Sequence, residues 1–134
     1  MAIVYALEPD LSATEFREVL IASALGERRP VDDLGRLERM LRQADIIVTA
    51  RDGTRLVGVS RAISDFAYCC YLSDLAVDTL YQRRGIGKRL IDETRKAAGD
   101  GATLILVAAP TAQTYYPKIG MTRIASGWLI PRER

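Results

Sequence analysis

The fold is decided by the stretch Asp74-Leu75-Ala76-Val77-Asp78-Thr79-Leu80-Tyr81-Gln82-Arg83-Arg84-Gly85-Ile86-Gly87-Lys88-Arg89-Leu90. Its apolar beginning is typical of the end of a strand, and its two glycines precede residues with a helical period. Free backbone N–H groups and the positive end of the helix dipole converge at such a helix start, and this suits a phosphate or a diphosphate. The stretch therefore predicts a strand, a loop and a helix with an anion site at the helix mouth.

Known glycine-rich phosphate motifs fit this stretch poorly. A Walker loop needs Gly where Gln82 stands and Ser or Thr where Arg89 stands, and the dinucleotide fingerprint needs Gly or Ala at Leu90. Gly85 and Gly87 would let a phosphate approach the backbone closely, and nearby basic residues add charge: Arg83, Arg84, Lys88 and Arg89. The alternative is that the glycines only permit a tight turn before an ordinary helix.

Composition limits the classes of protein that the chain can represent. With 134 residues, a single domain over 1–134 is expected. Nineteen basic against seventeen acidic residues give a net charge of +2, too balanced to indicate nucleic acid or an anionic membrane as partner. The start of the chain lacks the basic region of a signal peptide, so a cytoplasmic location is expected.

The absence of histidine excludes Ser-His-Asp and Cys-His sites and any His-ligated metal. Cys69 and Cys70 are adjacent, so they form neither a disulfide framework nor a four-cysteine zinc site. We expect one to point inward and the other outward on a strand. No metal is expected.

The remaining elements are placed by periodicity and turn signals. A capping box at Ser12–Glu15 predicts a helix that ends near Gly26, and Pro30 predicts the start of a second helix. Strands are predicted at 3–7, 46–50, 55–63 and 68–77, a buried strand at 103–109, closing strands within 121–130, and further helices at 84–98 and 111–116. This order indicates an α/β fold with a mixed sheet.

Two segments resemble one family. Gln82-Arg83-Arg84-Gly85-Ile86-Gly87 matches the Q/R-x-x-G-x-G/A motif of the GCN5-related N-acetyltransferases (GNAT), and Leu75-Ala76-Val77 precedes it at the family's spacing. Downstream, Tyr116-Pro117-Lys118-Ile119-Gly120-Met121 is similar to the family's Tyr-x-Lys-Leu-Gly-Phe segment. The resemblance implies a mostly antiparallel sheet flanked by helices, with splayed central strands that form an acyl-CoA cleft.

The resemblance further implies acetyl-CoA as co-substrate and an N-acetyltransferase that attaches its acetyl group to a primary amine by direct attack in a ternary complex. The backbone of Leu75, Ala76 and Val77 would hold the pantetheine arm. The implied contacts to the diphosphate come from the loop residues Gln82, Arg83, Arg84, Gly85, Ile86, Gly87 and Lys88. The alternative is a catalytically idle acyl-CoA-binding sensor or interaction module.

Two side chains are predicted to take part in the chemistry. The resemblance implies that Tyr116 attends the CoA sulfur, whereas Tyr115 is expected to pack inward. An acceptor amine must lose a proton, and Asp74 is the first candidate for the base or a water anchor, with Asp78, Asp65 and Glu8 as alternatives.

Two departures from the family pattern bear on this prediction. Pro117 replaces the usual acidic residue and is expected to break or kink the helix beside Tyr116. Ala109 replaces the Asn that often stands seven residues before the tyrosine, which removes an expected contact to the CoA arm. The acceptor, a small molecule or a protein amine, is left open, as is a homodimer through the closing strands or a sheet edge.

Overall fold

The computed structural model describes residues 2–134. Within them, five strands form one sheet in chain order: β1 (Ile3–Leu7), β2 (Ile46–Asp52), β3 (Arg55–Ser64), β4 (Cys69–Val77) and β5 (Thr103–Leu106). The first four strands are antiparallel, and β5 runs parallel to β4. The helices are α1 (Ala13–Ala22), α2 (Leu34–Arg42), α3 (Ile86–Ala98) and α4 (Tyr115–Lys118). The predicted mixed, mostly antiparallel α/β architecture is confirmed.

The sheet is covered on both faces. On the first face α3 packs on a core that includes Val48, Ala62, Leu72 and Leu90. On the second face α1 and α2 pack on a core that includes Phe16, Leu20, Leu37, Leu41 and Val59. Because alternate residues of a strand point to opposite faces, Cys70 is buried while Cys69 is exposed, as predicted.

The first two helices differ from their predicted bounds. Ser12 caps α1 by accepting the Glu15 N–H at 3.1 Å, but α1 ends at Ala22, because Ala24 adopts a left-handed conformation (φ 70°) before Gly26 is reached. The second helix does not start at Pro30. It begins at Leu34, where the Asp33 carboxylate accepts the Arg36 N–H at 3.0 Å.

The end of the chain also departs from the prediction. The strand predicted as buried over 103–109 is only Thr103–Leu106 and alternates between exposed and half-buried, because β5 is the sheet's last strand. The closing strands predicted within 121–130 are wrong, since those residues form no strand and leave Trp128 and Ile130 at 95% and 97% exposure. One contact at the end of this segment is a hydrogen bond from the Arg36 guanidinium to the Arg134 carbonyl at 3.2 Å.

None of the helices in residues 2–134 combines the length and apolar character that crossing a membrane requires. The location of the protein in the cell stays a prediction.

Candidate functional site

The sheet opens between β4 and β5. Their pairing runs from Cys69 opposite Thr103 to Leu72 opposite Leu106, where β5 ends, whereas β4 continues to Val77. On the other side β4 stays paired with β3, with a bulge at Ser73. The backbone from 73 to 77 therefore has no strand partner on the β5 side among the described residues, and it can pair with an extended ligand. This opening corresponds to the splayed central strands that the resemblance implied.

The loop after β4 is fixed by contacts on three sides. The buried Asp78 carboxylate accepts the Leu80 N–H at 2.9 Å and pairs with Arg55 at 2.8 Å. The Tyr81 hydroxyl donates to Asp52 at 2.8 Å, and Gln82 Nε2 donates to the Val77 carbonyl at 3.0 Å. These contacts hold the loop against the end of β4 and against the hairpin between β2 and β3.

The start of α3 presents backbone donors to this opening. Gly85 is the N-cap residue, has φ 79° and carries no side chain that could cap the helix. The first bond within the helix is from the Arg89 N–H to the Gly85 carbonyl at 3.1 Å, so the N–H groups of Ile86, Gly87 and Lys88 point out of the helix. The Ile86 side chain itself is buried in the first core, which leaves only its backbone for a ligand.

Basic side chains surround the helix mouth, but two of the four are paired along α3. Lys88 pairs with Asp92 at 3.0 Å, and Arg89 pairs with Glu93 at 3.1 Å. The Arg84 guanidinium lies 5.2 Å from the centre of the Tyr81 ring. Arg83 is exposed and adopts φ 65°, a left-handed conformation that a residue with a side chain seldom takes.

Tyr116 lies on the first face of the sheet, where it packs against the same core as Leu75 and Val77. Burial raises the pKa of its phenol. Ala76 points to the opposite face and is buried under α1 and α2. The side chain of Tyr116 is therefore on the same face of the sheet as Leu75 and Val77, and its part in the chemistry stays a prediction.

Pro117 does not break the helix beside Tyr116, contrary to the prediction. The helix α4 has only four residues, and Pro117 lies in its first turn, where no N–H is needed within the helix. The helix closes with bonds from the Gly120 N–H to the Pro117 carbonyl at 3.2 Å and from the Met121 N–H to the Tyr116 carbonyl at 3.1 Å. Gly120 takes φ 89°, as this C-terminal motif requires.

Tyr115 does not pack inward, so that prediction is wrong. A Cβ atom added to Gly87 would lie 2.8 Å from the Tyr115 hydroxyl oxygen, so this hydroxyl lies directly against the start of α3. The ring meets that of Tyr116 edge to face, with 5.2 Å between the centroids. Tyr115 thus connects α4 to the mouth of α3.

Asp74 is fully buried between two arginines on the second face. Its Oδ1 accepts from Arg29 Nε, and its Oδ2 accepts from Arg61 Nε. Arg29 also donates to the Ser73 carbonyl at 2.8 Å, and Arg61 donates to the Ser73 hydroxyl at 3.0 Å. Both carboxylate oxygens are therefore engaged, and the cluster fixes the bulge of β4 at the end of its pairing with β5.

The three alternative carboxylates are also engaged. Asp78 holds the loop after β4, as described above. Asp65 accepts three backbone N–H groups in the turn between β3 and β4, which lowers its pKa to about 2. The Arg51 guanidinium, 2.8 Å from Glu8, holds the pKa of that carboxyl below its ordinary value.

Sequence reasoning did not identify Arg61 as the partner of Asp74. One signal was available: Arg61 and Val59 are two residues apart on β3, so their side chains point to the same face, and Val59 points into the second core. A cation on a buried face needs a carboxylate partner, and Asp74 is its neighbour in the register. In residues 2–134 no group of three or more His, Cys, Asp or Glu side chains is arranged to hold a metal ion.

The sequence of this chain is similar to those of known acetyltransferases. The model of the acetyltransferase (GNAT) domain matches residues 30–127. An uncharacterized N-acetyltransferase of Porphyra purpurea is 29% identical over 102 residues, which cover 70% of this chain and 58% of that protein. The chain therefore spans less than two thirds of the length of this curated relative.

Solved structures share the whole fold at low sequence identity. A GNAT-family acetyltransferase from Streptococcus pneumoniae superimposes with a TM-score of 0.81 at 21% identity, over 99% of this chain and 100% of the other. The acetyltransferase AAC(6')-Iy, in complex with a CoA-linked acetylneamine bisubstrate analogue, gives 0.73 at 17% identity over 100% and 99%. A ribosomal-protein-alanine N-acetyltransferase from Brucella melitensis gives 0.72 at 24% identity over 98% and 99%.

Proposed function

The chain belongs to the GNAT family of acetyltransferases, and on that premise we propose that it transfers the acetyl group of acetyl-CoA to a primary amine by direct attack. The observation that carries the proposal is the position of three outward-pointing amides, at the start of α3, beside the part of β4 that β5 leaves unpaired. The amides at the start of α3 suit a diphosphate, and the unpaired part of β4 suits an extended arm that carries amide groups.

The proposed donor site divides between the strand and the loop. The pantetheine arm pairs with the backbone of β4 from Leu75 to Val77. The diphosphate lies on the amides of the loop and of α3 between Arg83 and Lys88, where hydrogen bonds to a charged phosphate contribute about 1.5–3 kcal/mol each. A backbone N–H near Leu75 or Ala76 would polarise the thioester carbonyl.

The proposed chemistry forms a C–N bond and breaks the C–S bond of the thioester. The amine nitrogen attacks the carbonyl carbon, and the electron pair of the broken bond leaves on the CoA sulfur. Tyr116 donates a hydrogen bond to that sulfur. Because burial raises the pKa of Tyr116, we assign it this hydrogen bond rather than complete proton transfer.

The proposed role of Asp74 is to position the strand and not to act as the base. Both of its oxygens accept from arginines on the face opposite Tyr116, so we propose that it positions the bulge of β4. Two guanidiniums and one carboxylate leave an excess positive charge beside Ser73, which lowers the pKa of an amine bound there. Each unit by which that pKa falls gives about tenfold more neutral amine, and water then accepts the proton released on attack.

The first experiment is calorimetric titration with acetyl-CoA of the wild type and of two variants at Gly87. Gly87→Glu and Gly87→Gln both displace the Tyr115 hydroxyl, whereas only Glu puts a negative charge at the amides. We expect Glu to abolish binding and Gln to weaken it less. Equal affinities of Glu, Gln and wild type would refute the site.

The second experiment separates the enzyme from the alternative of an idle acyl-CoA-binding module. Release of CoA thiol is followed with a panel of small amines and of peptides that carry a free N-terminus or a lysine. We expect acceptor-dependent release, and a rate at least tenfold lower for Tyr116→Phe at unchanged affinity for acetyl-CoA. Binding of acetyl-CoA without release for any amine would support the idle module.

We also propose that a homodimer forms at the free edge of β5, next to the exposed Ile105 and Val107. Trp128 is the only tryptophan of the chain, so its fluorescence reports whether the exposed segment 124–130 becomes covered. Sedimentation is expected to show a dimer whose formation shifts the Trp128 emission to the blue. A monomer at all concentrations would refute this proposal.

A further inference from the structure

Three apolar side chains form a row across the second face of the sheet. Ile63 on β3 is the register partner of Tyr71 on β4, and Tyr71 is the partner of Ile105 on β5. The residue before each of them lies in or against the first core, so all three side chains point to the second face. Each is 40–44% exposed, because the core under α1 and α2 includes Val59 and Ala76 but none of these three. We call them the apolar row.

The apolar row forms one side of a hollow with a volume of about 440 Å³, which is also lined by Ser64, Asp65, Cys69 and Cys70. The polar atoms of the turn residues are used within the turn itself. The Ser64 hydroxyl donates to the Cys69 carbonyl at 3.0 Å, and the Asp65 carboxylate accepts three backbone N–H groups. The hollow therefore offers a ligand mainly apolar surface, which is typical of sites for small molecules.

The apolar row lies close to the part of β4 where the acetyl group is proposed to react. Tyr71 is two residues before the bulge at Ser73, and this corresponds to about 7 Å along a strand. Tyr116 and α3 lie on the first face, so the proposed donor occupies that side of the sheet. An amine then approaches from the second face, where the apolar row is exposed.

We propose that the acceptor is a small primary monoamine whose other end is apolar, and that this alkyl or phenylalkyl chain lies on the apolar row while the amine reaches the thioester. This inference rests on the proposed function, because it names the acceptor class of the same reaction. The new C–N bond gives an N-alkylacetamide, the broken C–S bond gives the CoA thiol, and water takes the remaining proton of the ammonium product.

Two properties of the site favour this class of amine. Removing alkyl groups from water strengthens binding by about fourfold for each buried CH₂ group. The excess positive charge of Arg29 and Arg61 beside Ser73 disfavours an acceptor that carries a second ammonium group. The homodimer proposed above uses the free edge of β5, whereas the apolar row lies on the face of the sheet, so the two sites are distinct.

The test compares hexylamine with 5-aminopentan-1-ol, which has the same number of non-hydrogen atoms and an amine of similar pKa. The rate of CoA thiol release gives kcat/KM for each amine at a saturating concentration of acetyl-CoA. We expect kcat/KM to be at least about tenfold higher for hexylamine, because only its chain end is apolar.

Variants of the apolar row locate this preference. Ile63→Thr and Tyr71→Thr each put a hydroxyl in the hollow at a half-exposed strand position, and each should lower the ratio of the two kcat/KM values by at least about threefold. Val4→Thr is the matched control, because Val4 is also an exposed strand residue but lies on β1, at the other edge of the sheet. Its ratio should equal that of wild type. The ratio cancels any effect that a variant has on the donor site.

Equal kcat/KM values for the two amines would overturn this inference, and a row covered by a second copy of the chain would give that result. No release from either amine, or a ratio that neither Ile63→Thr nor Tyr71→Thr lowers, would also overturn it. Calorimetric titration with acetyl-CoA separates the two proposals. If wild type does not bind acetyl-CoA, the proposed function fails and this inference fails with it, whereas binding without a preference for hexylamine overturns this inference alone.

Discussion

Replacing Asp74 by Asn would remove the negative charge between Arg29 and Arg61 while keeping the size of the side chain. Asp74 is fully buried, and the Arg61 and Arg29 side chains are 9% and 21% exposed. Breaking a buried ion pair costs about 3–5 kcal/mol, because the remaining charge stays out of water. Arg29 can be partly hydrated and Asn keeps one acceptor oxygen, so we expect the lower end, a loss of about 3 kcal/mol.

The measurement is the free energy of unfolding from urea titration, together with the rate of CoA release by the folded protein. A loss of about 3 kcal/mol corresponds to a fall in the melting temperature of about 10 °C for a chain of this size. Glu38→Gln is the control, because it removes an exposed pair with Arg42 at 3.3 Å and should cost about 0.5 kcal/mol or less.

The two roles of Asp74 predict opposite outcomes. A positioning residue gives a large loss of stability and a rate within about tenfold of wild type. A general base gives little loss of stability and a rate lower by about 10²–10⁴. A variant as stable as Glu38→Gln would refute the argument from buried charge, and the second outcome would restore Asp74 as the base.

Three further predictions concern stability. Backbone hydrogen bonds lower the pKa of Asp65 in the folded protein from 3.8 to about 2, so its contribution to the free energy of unfolding is complete above the unfolded pKa and is lost as the pH falls from about 4 to 2. The difference in stability between wild type and Asp65→Asn should therefore shrink over that pH range. A difference that stays constant would contradict this prediction. Glu8 has the same sign, because Arg51 lowers its pKa, and Glu8→Gln should likewise approach wild type in acid. The buried Ser60 hydroxyl lies 2.6 Å from Thr94 Oγ1, and Thr94→Val removes this partner, so the free energy of unfolding should fall by about 1–3 kcal/mol. The double variant Thr94→Val with Ser60→Ala should lose less stability than the sum of the two single variants. Strict additivity would argue against the hydrogen bond.

The sequence was sufficient for the elements whose signals are local. The first strand, the Asp52-Gly53 hairpin and the helix after Gly85 appear close to their predicted positions, because turn residues and hydrophobic period act over a few residues. The strand after Gly101 was predicted as buried from its continuous apolar run. That inference needs a neighbour on each side, and the described residues supply only β4.

The parts of the site that the sequence did not predict depend on contacts between distant residues. Asp74 was placed correctly on the strand, but its role depends on Arg29, which is 45 residues away, and on the face of β3 to which the Arg61 side chain points. Tyr115 and Tyr116 are adjacent and chemically identical, and only the orientation of α4 decides which of them reaches Gly87. Neither fact follows from spacing along the chain.

The left-handed conformation of Arg83 sets stability against affinity at a single position. A residue with a side chain costs on the order of 1 kcal/mol more than glycine at φ 65°, so Gly at 83 would make the folded chain more stable. The same change would remove a cation from the mouth of α3, where the diphosphate is proposed to bind. Directed evolution for heat resistance would therefore tend to replace Arg83. Selection for activity at low concentrations of acetyl-CoA would tend to retain it.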